Sequence, residues 1–236
     1  MTAQEILIRI KSLGQESYKR VIMKHGIQEP VYGVKIEELK KIAKDIRNGY
    51  ELSLILYDTG VYDTMYFAGL VTEPEKMTEA DLQHWAELAN APVLRESTVA
   101  WVAAESCYGM KKAMQWIACG NNELQSTGWA TLADIVAIKD DSELDMALLA
   151  TLLAQVVRSI HQSGNRVKLM MNGFVIAVGI HVKPLHEAAK LAARQIGKVT
   201  ADMGDTACKI PAALDYIEKA EKKNTIGKKK KSARCL

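Results

Sequence analysis

Two side chains on one stretch of this sequence could stabilise a positive charge. Trp101 and Glu105 are four residues apart, which puts them on the same face of a helix. An indole face attracts a cation through its quadrupole, and a carboxylate does so by Coulomb force. The alternative is that Trp101 packs in a core and Glu105 is solvated. Glu96 lies half a turn out of phase with Glu105, so the two carboxylates do not pair as general acid and base on one helix face. Asp134 interrupts an apolar run and either faces solvent or is partly buried. Asn172, among Leu169, Met170, Met171 and Phe174, either bonds between helices or, with Phe174, lines a ligand pocket.

Charge points to a different chemistry. The segment from Lys219 to Leu236 holds eight of the 31 Lys and Arg and one acid, Glu221. It nets +7, so the formal +3 of the chain leaves −4 on everything before it. Lys228, Lys229, Lys230, Lys231 and Arg234 are too polar to bury and repel one another, so they call for an anion or for solvent. A phosphate backbone is such an anion, held without reading sequence and with strong salt dependence. Lys40, Lys41, Lys44, Arg158, Arg166 and Lys168 are further candidate phosphate contacts.

Other chemistries find no support. The five histidines form neither H-x-x-x-H nor H-E-x-x-H, and His181 and His186 flank a turn with no regular ligand spacing, so no metal is expected. The stretch from Asp202 to Asp205 lacks the oxygen ligands of a calcium loop and reads as a cap. No phosphate loop or dinucleotide fingerprint occurs, and no cofactor is expected. Cys107, Cys119, Cys208 and Cys235 show no C-x-x-C spacing, which fits reduced thiols in a cytoplasm. The N-terminus interleaves charge with hydrophobes, and no run of eighteen apolar residues exists, so neither export nor membrane insertion is expected.

The elements that must position these groups are helical throughout. Apolar residues recur at three and four, as in Ile6, Ile10 and Leu13 or Leu82, Trp85, Ala86 and Ala89, and strand-like alternation is absent. Thr78, followed by Glu79 and Asp81, reads as a helix cap. The five prolines fall between or at the start of helical segments. The spacing predicts about a dozen helices, among them 92–107, 121–137, 142–162, 165–181 and 185–196. Short connections make neighbours antiparallel. The expectation is all-α: a HEAT-like helical-repeat solenoid, an α-α superhelix of antiparallel pairs, over 1–222, with a basic C-terminal tail at 223–236. Trp85, Trp101, Trp116 and Trp129 are expected to fill layers between helices.

One stretch resembles a known family. Glu29-Pro30-Val31-Tyr32-Gly33-Val34 followed by Leu39, Ile42 and Ala43 is similar to the G-V-x-x-x-x-L-x-x-I-A motif of the AlkD-like DNA alkylation repair family. Tyr62 to Gly69 resembles that family's next helix, and Arg234-Cys235 after Lys228 to Lys231 resembles the basic close of one branch. The resemblance implies a HEAT-like fold that cradles duplex DNA and an N-glycosylase that excises cationic alkylated purines without metal or cofactor. The chain departs from the active branch at the chemical positions. Val93-Leu94-Arg95-Glu96-Ser97-Thr98 stands where W-D-x-V-D is found, Leu124-Gln125-Ser126 where L-Q-R is found, and Gly173-Phe174 where G-W is found. The reading is therefore a divergent DNA-binding member, either a 3-methyladenine or 7-methylguanine glycosylase that relies on Trp101 and Glu105, or a non-catalytic scaffold for DNA or for a protein partner.

Overall fold

The computed structural model describes residues 1–47, 49–202 and 210–234, and these form thirteen α-helices and no strand. Asp205, Cys208 and Cys235 lie outside the described residues. Contacts gather the chain into two compact units. One is built on Met1–Tyr108 and takes in Arg234; the other takes the described residues from Gly109 to Asp202 and from Ile210 to Ala233. Among the described residues, no helix is long and apolar enough to cross a membrane.

The first unit holds α1 (Ala3–Ser12), α2 (Glu16–Met23), α3 (Ile36–Ala43), α4 (Tyr50–Tyr57), α5 (Tyr62–Val71), α6 (Glu79–Leu88) and α7 (Ala100–Glu105). Two of its helices start where side-chain oxygens accept from free amides. Thr2 and Glu5 form a capping box on α1, and Thr78 and Asp81 form one on α6 as their order predicts. Helix α5 is buried on every side from Tyr62 to Leu70, the mark of a helix at the centre of a core. Tyr57 stacks on Trp85 with ring centroids 4.1 Å apart and donates its hydroxyl hydrogen to the Trp85 carbonyl.

A buried acid organises the turn ahead of α3. Asp63 is fully enclosed, and its carboxylate accepts from the backbone amides of Tyr32 at 2.6 Å and Val34 at 2.7 Å. Between them Gly33 takes φ +75°, and a Cβ there would fall 2.6 Å from Lys19 Cβ. Only glycine meets both conditions at low cost. Lys19 pairs with Glu29, whose other oxygen accepts from the Val31 amide. The pairing with Glu29 raises the Lys19 pKa, and that with Lys19 lowers the Glu29 pKa.

The helix expected over 92–107 is divided. Leu94–Val99 is wound as a π-helix, and α7 proper begins at Ala100. The physical correlate is close packing: Thr98 is fully buried, and a Cβ on Gly69 would sit 2.3 Å from Thr98 Cγ2. A wider turn is the way a helix absorbs one extra residue at such a contact.

The second unit holds α8 (Gly109–Ala118), α9 (Asn122–Ile138), α10 (Met146–Ser159), α11 (Asn165–His181), α12 (His186–Ile196) and α13 (Ala213–Lys222). Helices α9 and α11 pack on each other at its centre, with α8 against α9 and α12 and α13 against α11. Trp129 and Phe174 meet across that centre at 5.3 Å. The helix expected over 142–162 is shorter, because Asp140 and Glu143 close a turn and Asp145 then caps α10 by accepting from the Leu148 amide. All four tryptophans are buried.

Asp63 is the residue whose loss should be felt most in the first unit. Asp63→Ala leaves two amides without an acceptor, and stability should fall by about 2–4 kcal/mol. Asp63→Asn, which keeps one acceptor oxygen, should lose less. Urea unfolding of the three proteins measures both, and equal midpoints for Asp63→Ala and the parent would contradict the assignment.

Candidate nucleic-acid interface

The indole and carboxylate singled out by their spacing do lie on one helix, α7, but each already has company. Trp101 is 9% exposed and meets the Tyr66 ring edge-on at 5.6 Å. Glu105 receives Arg234: Nε and Nη2 both lie 2.9 Å from Oε2, and the Arg234 amide lies 3.4 Å from Oε1. The same guanidinium donates to the carbonyls of Leu70 at 3.3 Å and Thr72 at 3.1 Å. Both side chains are largely enclosed, at 17% and 15% exposure. A carboxylate neutralised in this way has little field left to stabilise another cation.

Asn172 and Phe174 are interior residues of α11. Phe174 is fully buried, and Asn172, 1% exposed, donates its amide to the Pro211 carbonyl at 3.0 Å. Asp134 is half-buried on α9. The π-helical stretch carries Arg95, whose guanidinium donates to the Ala89 carbonyl.

The basic residues divide into those spent inside the fold and those left outward. On α3, Lys40 and Lys41 occupy the last turn and Lys44 the cap, where the negative end of the helix favours cations. Lys41 pairs with Glu38 at 2.7 Å yet stays well exposed, and Lys44 is exposed. Arg158 is exposed in the last turn of α10; Arg166 and Lys168, in the first turn of α11, are half-buried.

The terminal lysines are placed by the ends of the two central helices. A helix leaves its last carbonyls without intrahelical donors. On α9, Val136 O accepts from Lys229 Nζ at 3.0 Å and Ala137 O from the Lys230 amide at 2.7 Å. On α11, Gly179 O is met by His186 Nδ1 at 2.6 Å and Ile180 O by the Gly227 amide at 2.8 Å. His181 Nδ1 in turn donates to the Lys228 carbonyl at 2.6 Å. Lys229 also pairs with Asp141 at 2.8 Å and is mostly enclosed. Residues 227–230 thus cap two helices, while Lys228, Lys230 and Lys231 remain exposed. Nothing local in the sequence marks His181 or Asp141 as partners of this segment, since both lie on elements far from it along the chain.

Comparison with known proteins places these observations in a family. The model of the DNA alkylation repair enzyme family matches residues 6–195. An uncharacterized protein of Listeria monocytogenes is 29% identical over 226 residues, 93% of this chain and 97% of its own; one of Listeria innocua is 28% identical over the same shares. A solved structure matches with TM-score 0.92 and 33% identity over 100% of both chains. It represents a new family of proteins related to the HEAT-like repeat DNA glycosylases with affinity for branched DNA structures. The HEAT-like helical-repeat fold is shared with that structure.

Burial, together with the charges of Lys230 and Lys229, lowers the His181 pKa below its ordinary value. The free chain takes up a proton near pH 6.5, and the folded one only at lower pH, so acid favours release. The stability that comes from burying the ring neutral beside Lys229 and Lys230 is complete above about pH 6.5 and is lost as pH falls through the lower folded value, while the hydrogen bond to the Lys228 carbonyl opposes the shift. Amide exchange at Gly227 and Lys230, corrected for intrinsic rates, should therefore accelerate between pH 7.5 and 5.5, and His181→Gln should flatten that dependence. Taken together, the matched residues, the coverage and the shared fold show that this chain belongs to the DNA alkylation repair enzyme family.

Proposed function

We propose that this chain is a cytoplasmic DNA-binding protein that holds branched duplex DNA by its phosphate backbone and does not excise bases. The observation that carries the reading is the likeness, over 100% of both chains, to a protein from a family with affinity for branched DNA. Exposed cations supply the physical means. Lys228, Lys230 and Lys231 project from a segment fixed at three backbone points and by the Lys229 side chain, and Lys40, Lys41, Lys44, Arg158, Arg166 and Lys168 are further candidate contacts. Lys229 and Arg234 contribute by anchoring that segment and by binding Glu105. Phosphate contacts of this kind position a duplex and read its geometry rather than its bases.

The non-excising part rests on the groups that a glycosylase of this kind would use. Cleavage of a cationic alkylated purine builds positive charge on the sugar, which calls for an available carboxylate and an open aromatic face. Glu105 is held by Arg234, Trp101 is packed on Tyr66, and Phe174 is sealed in the core. A scaffold for a protein partner is the competing class. Preference for a DNA junction over linear duplex of equal length separates the two.

Mobility-shift titrations should show tighter binding to a four-way junction than to linear duplex, falling steeply with salt. Replacing Lys228, Lys230 and Lys231 together by Ala should weaken junction binding and reduce the slope of log K against log salt by up to about 3. Incubation with methylated duplex should release no 3-methyladenine or 7-methylguanine above a protein-free control. Release of either base would overturn the non-excising reading, and equal weak binding to both DNA forms would favour the scaffold.

A further inference from the structure

Helix α12 begins, and helix α13 ends, at a group of side chains that the proposed DNA contact does not use. His186 Nε2 lies 3.6 Å from Glu187 Oε1 and 3.8 Å from Glu221 Oε1, and the three ligand atoms all fall within 4.8 Å of one another. They line a cleft of about 450 Å³ with Lys183, Asn224 and Ile226. The carboxylates are reachable from solvent, at 76% and 46% side-chain exposure, whereas the imidazole is 12% exposed.

Three features set this group apart from an ordinary surface ion pair. The Gly179 carbonyl can only accept, so His186 Nδ1 carries a proton and Nε2 offers its lone pair unless the ring is doubly protonated. A ring nitrogen held to a backbone carbonyl in this way is how proteins orient an imidazole for a metal. Second, Nε2 is fully buried yet has no hydrogen-bond partner, although two carboxylates face it. A lone pair directed at two anions is unfavourable until a cation lies between them. Third, Lys190 Nζ takes Glu221 Oε2 at 3.0 Å and lies 3.6 Å from Glu187 Oε1, which leaves Glu221 Oε1 as the oxygen nearer the imidazole and makes Lys190 the cation an ion would have to displace from Glu187.

We infer that His186, Glu187 and Glu221 form a divalent transition-metal site that takes Zn²⁺. Zinc bonds of about 2.0–2.2 Å in a tetrahedron place neighbouring ligand atoms about 3.4 Å apart, so small rotations of two exposed glutamates close the observed spacings. One nitrogen and two oxygens leave a position for water or for an external ligand. With a singly protonated imidazole the two carboxylates balance Lys190 and the Lys183 that lines the same cleft, so the group is neutral before an ion binds. The ion ties the start of α12 to the end of α13, the helix that leads into the basic segment.

Titration of the metal-free full chain with Zn²⁺ against a chromophoric chelator should give one equivalent bound. His186→Ala and, separately, the exposed Glu187→Gln should each weaken it more than about 10-fold, the loss already typical of removing a supporting partner. Co²⁺ in place of Zn²⁺ should give visible d–d bands of low-coordinate N/O ligation without thiolate charge transfer, which excludes Cys107 and Cys119 as the ligands. Circular dichroism establishes that both variants fold; Glu187→Gln, at a mostly exposed position, serves where His186→Ala does not. No bound Zn²⁺, binding unchanged in Glu187→Gln, or a thiolate band each overturns the site. None of these readouts involves DNA, so they stand apart from the DNA-binding proposal.

Discussion

Carbonyl groups at the ends of α9 and α11 set the terms for much of the second unit. Each helix runs 17 residues and ends at an interior position, and a buried carbonyl without a donor costs about 1–3 kcal/mol. Each end is therefore closed by something brought from elsewhere: Lys139 N and Val182 N from the chain just beyond, His186 from α12, and Gly227, Lys229 and Lys230 from the terminal segment. Positive charge suits these places twice over, because the carbonyls need donors and the helix dipole favours cations at its C-terminal end. Lys229 is the lysine whose side chain answers to helix geometry, since Lys228 and Lys230 take part through their backbone.

The same economy governs α7. Arg234 presents five donors in a fixed plane, and the first unit offers it a carboxylate and two carbonyls, those of Leu70 and Thr72 just at and beyond the end of α5. The residue pair that spacing alone marks as a cation-stabilising site is thus occupied by a cation of the chain itself. Chemistry and anchoring compete for one carboxylate, and in this structure anchoring holds it.

Helix periodicity, caps and turn residues were legible from the sequence because they act over three or four positions. Thr78 caps α6 with Asp81, and the tryptophans enter the core. What escaped depends on contacts between distant residues. Asp63 reads as a polar residue in an apolar run, and only the return of Tyr32 and Val34 to its oxygens shows why it is buried. The break at Leu94–Val99 follows from Thr98 meeting Gly69, a pairing no local pattern encodes. The approach of Glu221 to His186 leaves no trace in local spacing because the two lie on different helices. The lysines of the terminus were counted correctly as charge, but their division into anchors and exposed groups depends on which carbonyls lie beneath them.

That division bears on how a protein whose body before Lys219 is mildly acidic could hold a polyanion. A free lysine tail meets any phosphate array equally well and loses its conformational freedom on binding, at about 1–2 kcal/mol for each residue fixed. Here the cost for residues 227–230 is met when the protein folds, by bonds to Val136, Ala137, Ile180 and His181. Lys228 and Lys230 then stand at set positions, with Lys231 directly after them. Cations fixed in space favour phosphates arranged to match, and a branch point differs from linear duplex in just that arrangement. Sequence-blind contacts can in this way discriminate shape, and Lys229, bonded to the Val136 carbonyl and paired with Asp141, holds its neighbours in place.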